Sequence, residues 1–471
     1  MIYMKHKVMF LIFLLAIVFS GKILAQNTND SIYISSKVWS RDSNRNIVYS
    51  DWKQFPTAIV DKLNGITLKQ DVLDEYGGLV NVHSNATGFF RTELINKRWW
   101  VIDPVGNGFV VKAVNSIKIG TSPNNKKAFD SIYKNSNDWI FQTYQTLVNN
   151  GFNASGSWSE VDLIRKMNSK KNVHLAYTTQ LNILSDFSKK KQQKINNPEY
   201  SILSLIFDPE FETFVHNKCS SLIEFEKDSN LLGHFSDNEL PFQDNLIKKF
   251  LNISDKSNPA YLFVKKWIIN NNVDSINYSK LQSEKFSTEV ADAYYKIVTS
   301  YIKKYDPNHM YIGSRIHAAV KDNISFLNVM SKYVDIASIN YYGFWNLSEK
   351  HKNLFRTQLT KPYFITEFYT KGEDSKMGNI TGAGWLVRTQ VDRGNHYQNF
   401  CLHLLKEENC VGWHWFKYQD NDPEDKLADP SNNDSNKGII NTKYILYGDL
   451  TNKMKQLNNN VLCIINYFQK P

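Results

Sequence analysis

Leu231-Leu232-Gly233-His234-Phe235-Ser236-Asp237-Asn238-Glu239-Leu240-Pro241-Phe242 is the segment on which the architecture turns. A short apolar run enters it, Pro241 ends it, and an Asn-Glu pair sits between them. A pair of this kind at the end of a buried strand lies where an α/β barrel carries its reactive groups. A second carboxylate has the same setting 128 residues on, in Pro362-Tyr363-Phe364-Ile365-Thr366-Glu367.

Working away from these two stretches, similar runs recur, each separated from the next by helix-compatible sequence. They are 109–115, 152–156, 173–177, 231–235, 310–315, 336–341, 363–367 and 411–416. Between them, residues 126–149 carry a helical pattern, and 284–304 place Phe286, Val290, Ala293, Tyr294, Ile297, Val298 and Ile302 on one face. Residues 389–405 and 449–468 read as two further helices. Eight such runs predict an α/β fold, a (β/α)8 TIM barrel over residues 109–471. The rival is a doubly wound sheet. It wants a Gly-rich phosphate loop after an early strand, and Gly106-Asn107-Gly108 lacks the third Gly and the preceding strand. Residues 26–108 read as an N-terminal arm and a small β-rich extension, with Arg98 to Gly108 predicted as a β-hairpin.

The residues that end the eight runs are Asn115, Trp158, Gln180 or Asn182, Asn238-Glu239, Arg315, Asn340-Tyr341-Tyr342, Glu367 and Trp413 to Trp415. Two carboxylates, several amides and phenols, one Arg and many aromatics make a set suited to sugar chemistry. One carboxyl group protonates a departing glycosidic oxygen, and a second attacks the anomeric carbon or activates water. Aromatic faces stack on sugar rings, while amides and Arg bond their hydroxyls. Strands four and seven lie nearly opposite in an eight-stranded barrel. Glu239 and Glu367 are therefore expected to face each other about 5–5.5 Å apart, the spacing of a retaining glycosidase. Burial and the nearby Glu367 should raise the pKa of Glu239, the expected acid/base. Glu367, the expected nucleophile, should be oriented and kept ionised by Arg315 and by Tyr341 or Tyr342. Asn238, Arg315, Tyr341, Tyr342, Asn115, Trp158, Trp413 and Trp415 are the expected substrate-binding residues. Asp237 is the competing candidate for the acid, and Trp158, Trp413 and Trp415 have packing as their alternative role, with Trp413 and Trp415 expected on one face.

No metal or other cofactor is expected. His234, His317 and His414 fall on strands four, five and eight, but their spacing fits no zinc motif. They read as core or supporting hydrogen-bond residues. Asp420-Asn421-Asp422-Pro423-Glu424-Asp425 is only loosely like a calcium loop and reads as a solvated loop beside the cleft.

The ordered series Ala86-Thr87-Gly88-Phe89-Phe90-Arg91, Arg98 to Pro104, Gly151 to Trp158, Phe207 to Phe211, Ser236 to Glu239, Tyr311 to Arg315 and Gly412 to Phe416 with Gln419-Asp420 resembles the agarase-like members of the clan A retaining glycoside hydrolases. The resemblance spans roughly residues 86–460. It implies a (β/α)8 barrel, Glu239 as acid/base, Glu367 as nucleophile, and substrate contacts from Asn238, Arg315, Tyr341 and Trp415. Agarase-like enzymes often carry an added carbohydrate-binding sandwich, for which about 70 residues ahead of Arg98 leave little room. The expected partner is therefore a β-linked, galactose-containing glycan, of which agar is one case. The alternatives are a barrel that binds glycan without cleaving it, a β-glycosidase of other sugar specificity, and an amidase-type barrel hydrolase.

Composition bounds the rest. The 471 residues are 42% hydrophobic and bear a net charge of +10, enough chain to bury a large core. Residues 1–25 read as a cleavable targeting segment, with Lys5 and Lys7, an apolar run from Val8 to Ser20, and Ala25 at the cleavage point. An exported protein, periplasmic or extracellular, is expected. Losing Lys5, Lys7 and Lys22 brings the charge to +7, and no dense basic run interleaved with aromatics predicts a nucleic-acid partner. Lys189-Lys190-Lys191 reads as a solvated loop. The apolar run is short for a membrane span. Cys219, Cys401, Cys410 and Cys463 show no framework spacing, so no disulfide is expected to be necessary.

Overall fold

All eight runs form parallel strands in one sheet of the computed structural model. The structure describes residues 31–470, apart from 44–45, 171, 193–200, 426 and 429–431. The targeting segment therefore lies outside the described residues. The strands are β1 (Val111–Val114), β2 (Ala154–Ser155), β3 (Ala176–Gln180), β4 (Leu231–Phe235), β5 (Met310–Tyr311), β6 (Ala337–Asn340), β7 (Tyr363–Phe368) and β8 (Cys410–Trp415). Seven lateral pairings link them from β5 back through β1 to β8, β7 and β6. The sheet curls until its two ends meet, where Ile316 beyond β5 makes a parallel bridge to Ile339 of β6. Sheet and helices thus make a TIM-like barrel.

Strand alternation sorts the core into two layers. Val111, Ala113, Ala154, Ala176, Leu232, Phe235, Met310, Ile312, Ile336, Phe364 and Val411 pack together inside the sheet. The intervening residues, such as Leu231, Ile339, Tyr363 and Ile365, pack against the helices. One end of the interior is closed by Tyr76, Phe90, Val101 and Phe109. These come from the β-rich extension, in which strands Arg91–Ile95, Arg98–Ile102 and Asn107–Phe109 form an antiparallel meander. The predicted hairpin at 98–108 is the last pair of this meander.

Two predicted helices are each broken in two. The pattern at 126–149 becomes Pro123–Ile132 and Ser136–Asn149, because the Asn135 side chain accepts from the Asp138 amide and restarts the helix. The closing helix becomes Gly448–Asn458 and Val461–Gln469, and Asp71 accepts the Val461 and Leu462 amides at the start of the second. The long helix Lys280–Tyr305 starts in a capping box of Ser279 and Gln282. Lys189 and Lys190 end the helix Ile183–Lys190, and with Lys191 they form ion pairs with Asp186, Asp208 and Glu210. Cys219, Cys401, Cys410 and Cys463 are all unbridged. No helix among the described residues is long and apolar enough to cross a membrane.

Behind β4, outside the sheet, lies a buried polar cluster. Asp306 lies 2.7 Å from His234 Nε2 and 2.8 Å from His309 Nδ1, and Nε2 of His309 reaches the Asp228 carbonyl at 2.8 Å. The facing atoms of His234, Asp306 and His309 lie within 4.8 Å of one another, but the short contacts among them already use these atoms. Burial pushes the Asp306 carboxyl up, yet bonds from the two rings outweigh it and hold it well below the usual range. A depressed carboxyl contributes stability above its unfolded pKa of about 3.9 and loses it as pH falls further. Asp306→Asn is expected to cost about 3–5 kcal/mol near neutral pH. The gap in Tm between wild type and variant should narrow below about pH 4. A constant gap across that range would reject the ionised state.

Candidate active site

The carboxyl ends of the strands surround a cavity of about 370 Å³ lined by Trp158, Asn238, Glu239, His317, Tyr342, Glu367, Tyr369 and Phe416, among others. A larger cavity of about 780 Å³, between the β-rich extension and the last helix, shares no residue with it. Only the smaller one contains a pair of carboxylates.

Glu367 is delivered by an irregular strand. Strict alternation would put it on the outer face with Tyr363 and Ile365. Instead the register of β7 against β8 slips between Ile365 and Phe368, a local bulge of the kind that re-aims side chains next to sites. Phe368 thus packs outward with the helices, and Glu367 lines the cavity. Its Oε1 lies 2.8 Å from Arg315 Nη2, and its Oε2 accepts from the Tyr342 hydroxyl at 2.6 Å. Burial pushes the carboxyl up, Arg315 pulls it down, Glu239 adds to the rise and Tyr342 opposes it; the net direction is upward. The expectation for Glu367 holds for the holding groups, while burial raises its pKa.

Arg315 organises the neighbours. Fully buried, it also donates to Asn238 Oδ1 at 3.1 Å and to the Thr366 carbonyl at 3.0 Å. Its guanidinium lies 4.3 Å from the centre of the Trp158 ring. Asn340 joins the two halves of the site. Its amide donates to Asn238 Oδ1 at 3.1 Å and to Glu239 Oε1 at 2.8 Å, and its own oxygen accepts from Thr366. Asn115 lies beneath, donating to the Thr366 carbonyl at 2.7 Å and facing His414 Nδ1 at 3.3 Å. The close approach of Gly156 requires a glycine, because a Cβ there would stand 1.9 Å from Asn115 Oδ1. Ser116, Trp158, Glu239 and Arg315 all have φ between 51° and 61°. Left-handed backbone costs a side-chain-bearing residue on the order of 1–3 kcal/mol, and it gathers where function over-determines the chain.

Other expected residues are placed elsewhere. Tyr341 turns into the helix layer, where its hydroxyl contacts His351 and the Ser348 amide. Of the two tyrosines expected at Glu367, Tyr342 makes the contact, and Tyr341, also expected to bind substrate, is not among the residues that line the cavity. The reason is alternation: Ile339 and Tyr341 face outward, Asn340 and Tyr342 inward. Trp413 and Trp415 do share a face, but it is the outer one. Both are fully buried, donating to the Tyr397 hydroxyl and the Lys437 carbonyl. An extra residue in β8 near Gly412 sets that face, and neither ring lines the cavity. Asp237 also points away. It is buried against the amides of Leu184 and Ser185 and the Tyr294 hydroxyl, with its pKa pushed up to about 7 by burial. His234 and His414 stay beneath or behind the site, and only His317 reaches the cavity, 3.7 Å from Glu239. Asp420 accepts from the amides of Lys437 and Gly438, and Asp422 from Ser122, so these carboxylates brace loops.

Sequence reasoning missed five contributors. Asn340 stood among the strand-end residues without a role, although its inward parity with Tyr342 is legible. His317 carries no zinc-motif spacing and gives no sign in the sequence that it lines the cavity. Trp39, Arg41 and Ile47, from the N-terminal arm, also line the cavity, and no local signal announced them.

No family model matches the chain. It is 24% identical to Beta-agarase B of Vibrio sp. (strain JT0107), over 82% of this chain and 50% of that protein. Against Beta-agarase A of the same strain, 26% identity covers 36% of this chain and 17% of that protein. The chain thus spans half, or less, of the length of these curated relatives. Among solved structures, that of BpGH50 superposes with a TM-score of 0.83 at 28% identity, covering 93% of this chain and 96% of that one. The agarase AgWH50C follows at 0.67 and 19%, covering 85% and 67%, a likeness of fold. The chain resembles the agarase-like glycoside hydrolases in sequence and in fold.

Proposed function

We propose that this chain is an exported, retaining β-glycosidase acting on a galactose-containing polysaccharide or oligosaccharide, with Glu239 as acid/base and Glu367 as nucleophile. The fold is read as a complete (β/α)8 barrel over residues 109–471, with residues 26–108 as arm and extension and residues 1–25 as the targeting segment. The observation that carries the reading is the grip on Glu367, one oxygen on Arg315 and the other on Tyr342, in a cavity shared with Glu239. The name of the Vibrio relative supports agar or a related galactan as substrate.

The two steps follow from the donors present. Glu239 gives its proton to the glycosidic oxygen as Glu367 attacks the anomeric carbon. The bond to the leaving sugar breaks, and an ester to Glu367 forms. The ionised Glu239 then takes a proton from water, whose oxygen attacks the same carbon and releases Glu367 as carboxylate. Asn340 donates to the Glu239 carboxyl, and Asn238, whose Oδ1 accepts from Arg315 and Asn340, bonds the sugar in this reading.

NMR of the first-formed product on a β-galactoside oligosaccharide should show the β-anomer; the α-anomer would exclude the covalent route. Glu239→Ala should flatten the alkaline limb of the kcat/KM profile, since that limb reports loss of the acid's proton. An unchanged limb would remove Glu239 from this role.

A further inference from the structure

The arm ahead of the barrel is built into the proposed site. Strand Ser31–Lys37 pairs with Lys53–Ala58 and with Trp385–Val387, which also pairs with Thr370–Gly372 beyond β7. Backbone amides of Ala58 and Val60 donate to Asn399 and Gln398 on the helix Gln390–Leu405. The short hairpin Trp39–Arg41 with Ile47–Tyr49 grows out of this sheet. Its base is pinned by the Tyr49 hydroxyl, which donates to the Asn379 carbonyl at 2.7 Å. The fully buried Lys371 donates to the carbonyls of Thr381 and Gly382 at 2.8 Å and lies 5.1 Å from the Tyr49 ring centre. Asp434 accepts the amides of Ile380 and Thr381 from the other side. The result fixes the hairpin over the loop whose Gly382 and Ala383 line the same cavity as Glu239 and Glu367.

We propose that Trp39 is a substrate-binding, specificity-determining residue, a stacking platform for a sugar unit beyond the one that is cleaved. Trp39 is half-buried and lines the cavity. Its indole N–H is out of contact with solvent and has no hydrogen-bond partner among the described residues. What the ring presents to the cavity is therefore carbon, the surface that the C–H face of a pyranose needs. The ring packs against the apolar cluster of Ile34, Trp345, Trp385 and Val387, and the Arg41 guanidinium lies 6.0 Å from its centre, so its place is set before binding. Trp158, whose ring also meets Arg315, lines the same cavity as a second aromatic side chain. Two aromatic side chains, one on the barrel and one on the arm, suit a substrate of more than one sugar. The arm thereby adds recognition that the barrel strands alone do not supply.

This inference rests on the glycosidase reading. The test compares the full chain with Trp39→Leu, which keeps apolar bulk behind the ring, and Trp39→Phe, which keeps a stacking face. Substrates are β-galactoside oligosaccharides of graded length prepared from agarose, with nitrophenyl β-galactoside as the single-sugar probe. For the longer oligosaccharides, Trp39→Leu should raise KM at least tenfold with less than a threefold change in kcat. Trp39→Phe should recover most of the affinity. A KM that rises equally for the single-sugar probe, or does not rise at all, overturns the role of Trp39 while leaving the glycosidase reading intact. A wild-type chain that neither binds nor cleaves any of these glycans overturns both. Should Trp39→Leu melt well below wild type, Trp39→Phe alone decides: a partial rise in KM confined to the longer oligosaccharides supports the platform, and a KM unchanged at every length, or raised equally on the single-sugar probe, rejects it.

Discussion

Glu367→Gln is expected to reduce turnover on the order of 10⁴-fold or more while leaving glycan binding in place. The amide is isosteric with the carboxylate. Its oxygen still accepts from Arg315, and its nitrogen donates to the Tyr342 hydroxyl, so both partners at 2.8 and 2.6 Å keep a bond. What is lost, under the proposed mechanism, is the electron pair that would bond to the anomeric carbon. Binding without the covalent step is then measurable by calorimetry with a galactan oligosaccharide, and turnover by release of nitrophenol from the aryl β-galactoside. Equal turnover by wild type and variant would mean that another group attacks, or that water does. The acid limb of the wild-type kcat/KM profile should lie above the ordinary glutamate value of about 4.3, because burial and Glu239 raise Glu367.

Arg315→Met is expected to have the next largest effect. Methionine fills much of the length and apolar volume but removes the charge. The Thr366 carbonyl and Asn238 Oδ1 each lose a donor, and Glu367 loses its nearest cation. Breaking a buried pair in this way costs about 3–5 kcal/mol of stability, and loss of a preorganised donor beside the reacting carboxylate is expected to lower kcat/KM by about 10²-fold or more. The sign of the pH effect follows from the causes. Arg315 lowers the Glu367 pKa, so its removal raises that pKa and moves the acid limb to higher pH. An acid limb that stays in place would show that Arg315 acts on substrate alone. Arg315→Lys should recover part of the loss, since an ammonium keeps the charge but lacks the planar fork that reaches Glu367, Asn238 and Thr366 together.

Both effects trace to residues that end strands, and these were the readable part of the chain. The eight runs stood out because a strand buried on both faces must be almost continuously apolar. Asn238-Glu239, Arg315 and Glu367 stood out because polar groups directly after such runs go against burial unless something uses them. The doubled tyrosine was also decidable in principle. Counting faces from Ile336, which packs inside the sheet, puts Asn340 and Tyr342 on the same inner side and Tyr341 outside. The helix breaks at Asn135 and near Asn460 were less visible, because Asn is tolerated in a helix and takes a capping role only where packing ends the turn.

Sequence alone thus determined the order of strands and helices, the two carboxylates and the arginine between them, since each is a local consequence of periodicity and polarity. Tertiary structure alone decided which way several of them face. The slip in β7 that turns Glu367 inward, and the extra residue in β8 that turns Trp413 and Trp415 outward, arise from pairing with neighbouring strands. A single-residue slip reverses every side chain beyond it, and no residue in either strand declares it. The arm's place over the cavity was equally closed to sequence reading. Contacts between Tyr49 and Asn379 span 330 residues, and packing of that range depends on the whole fold.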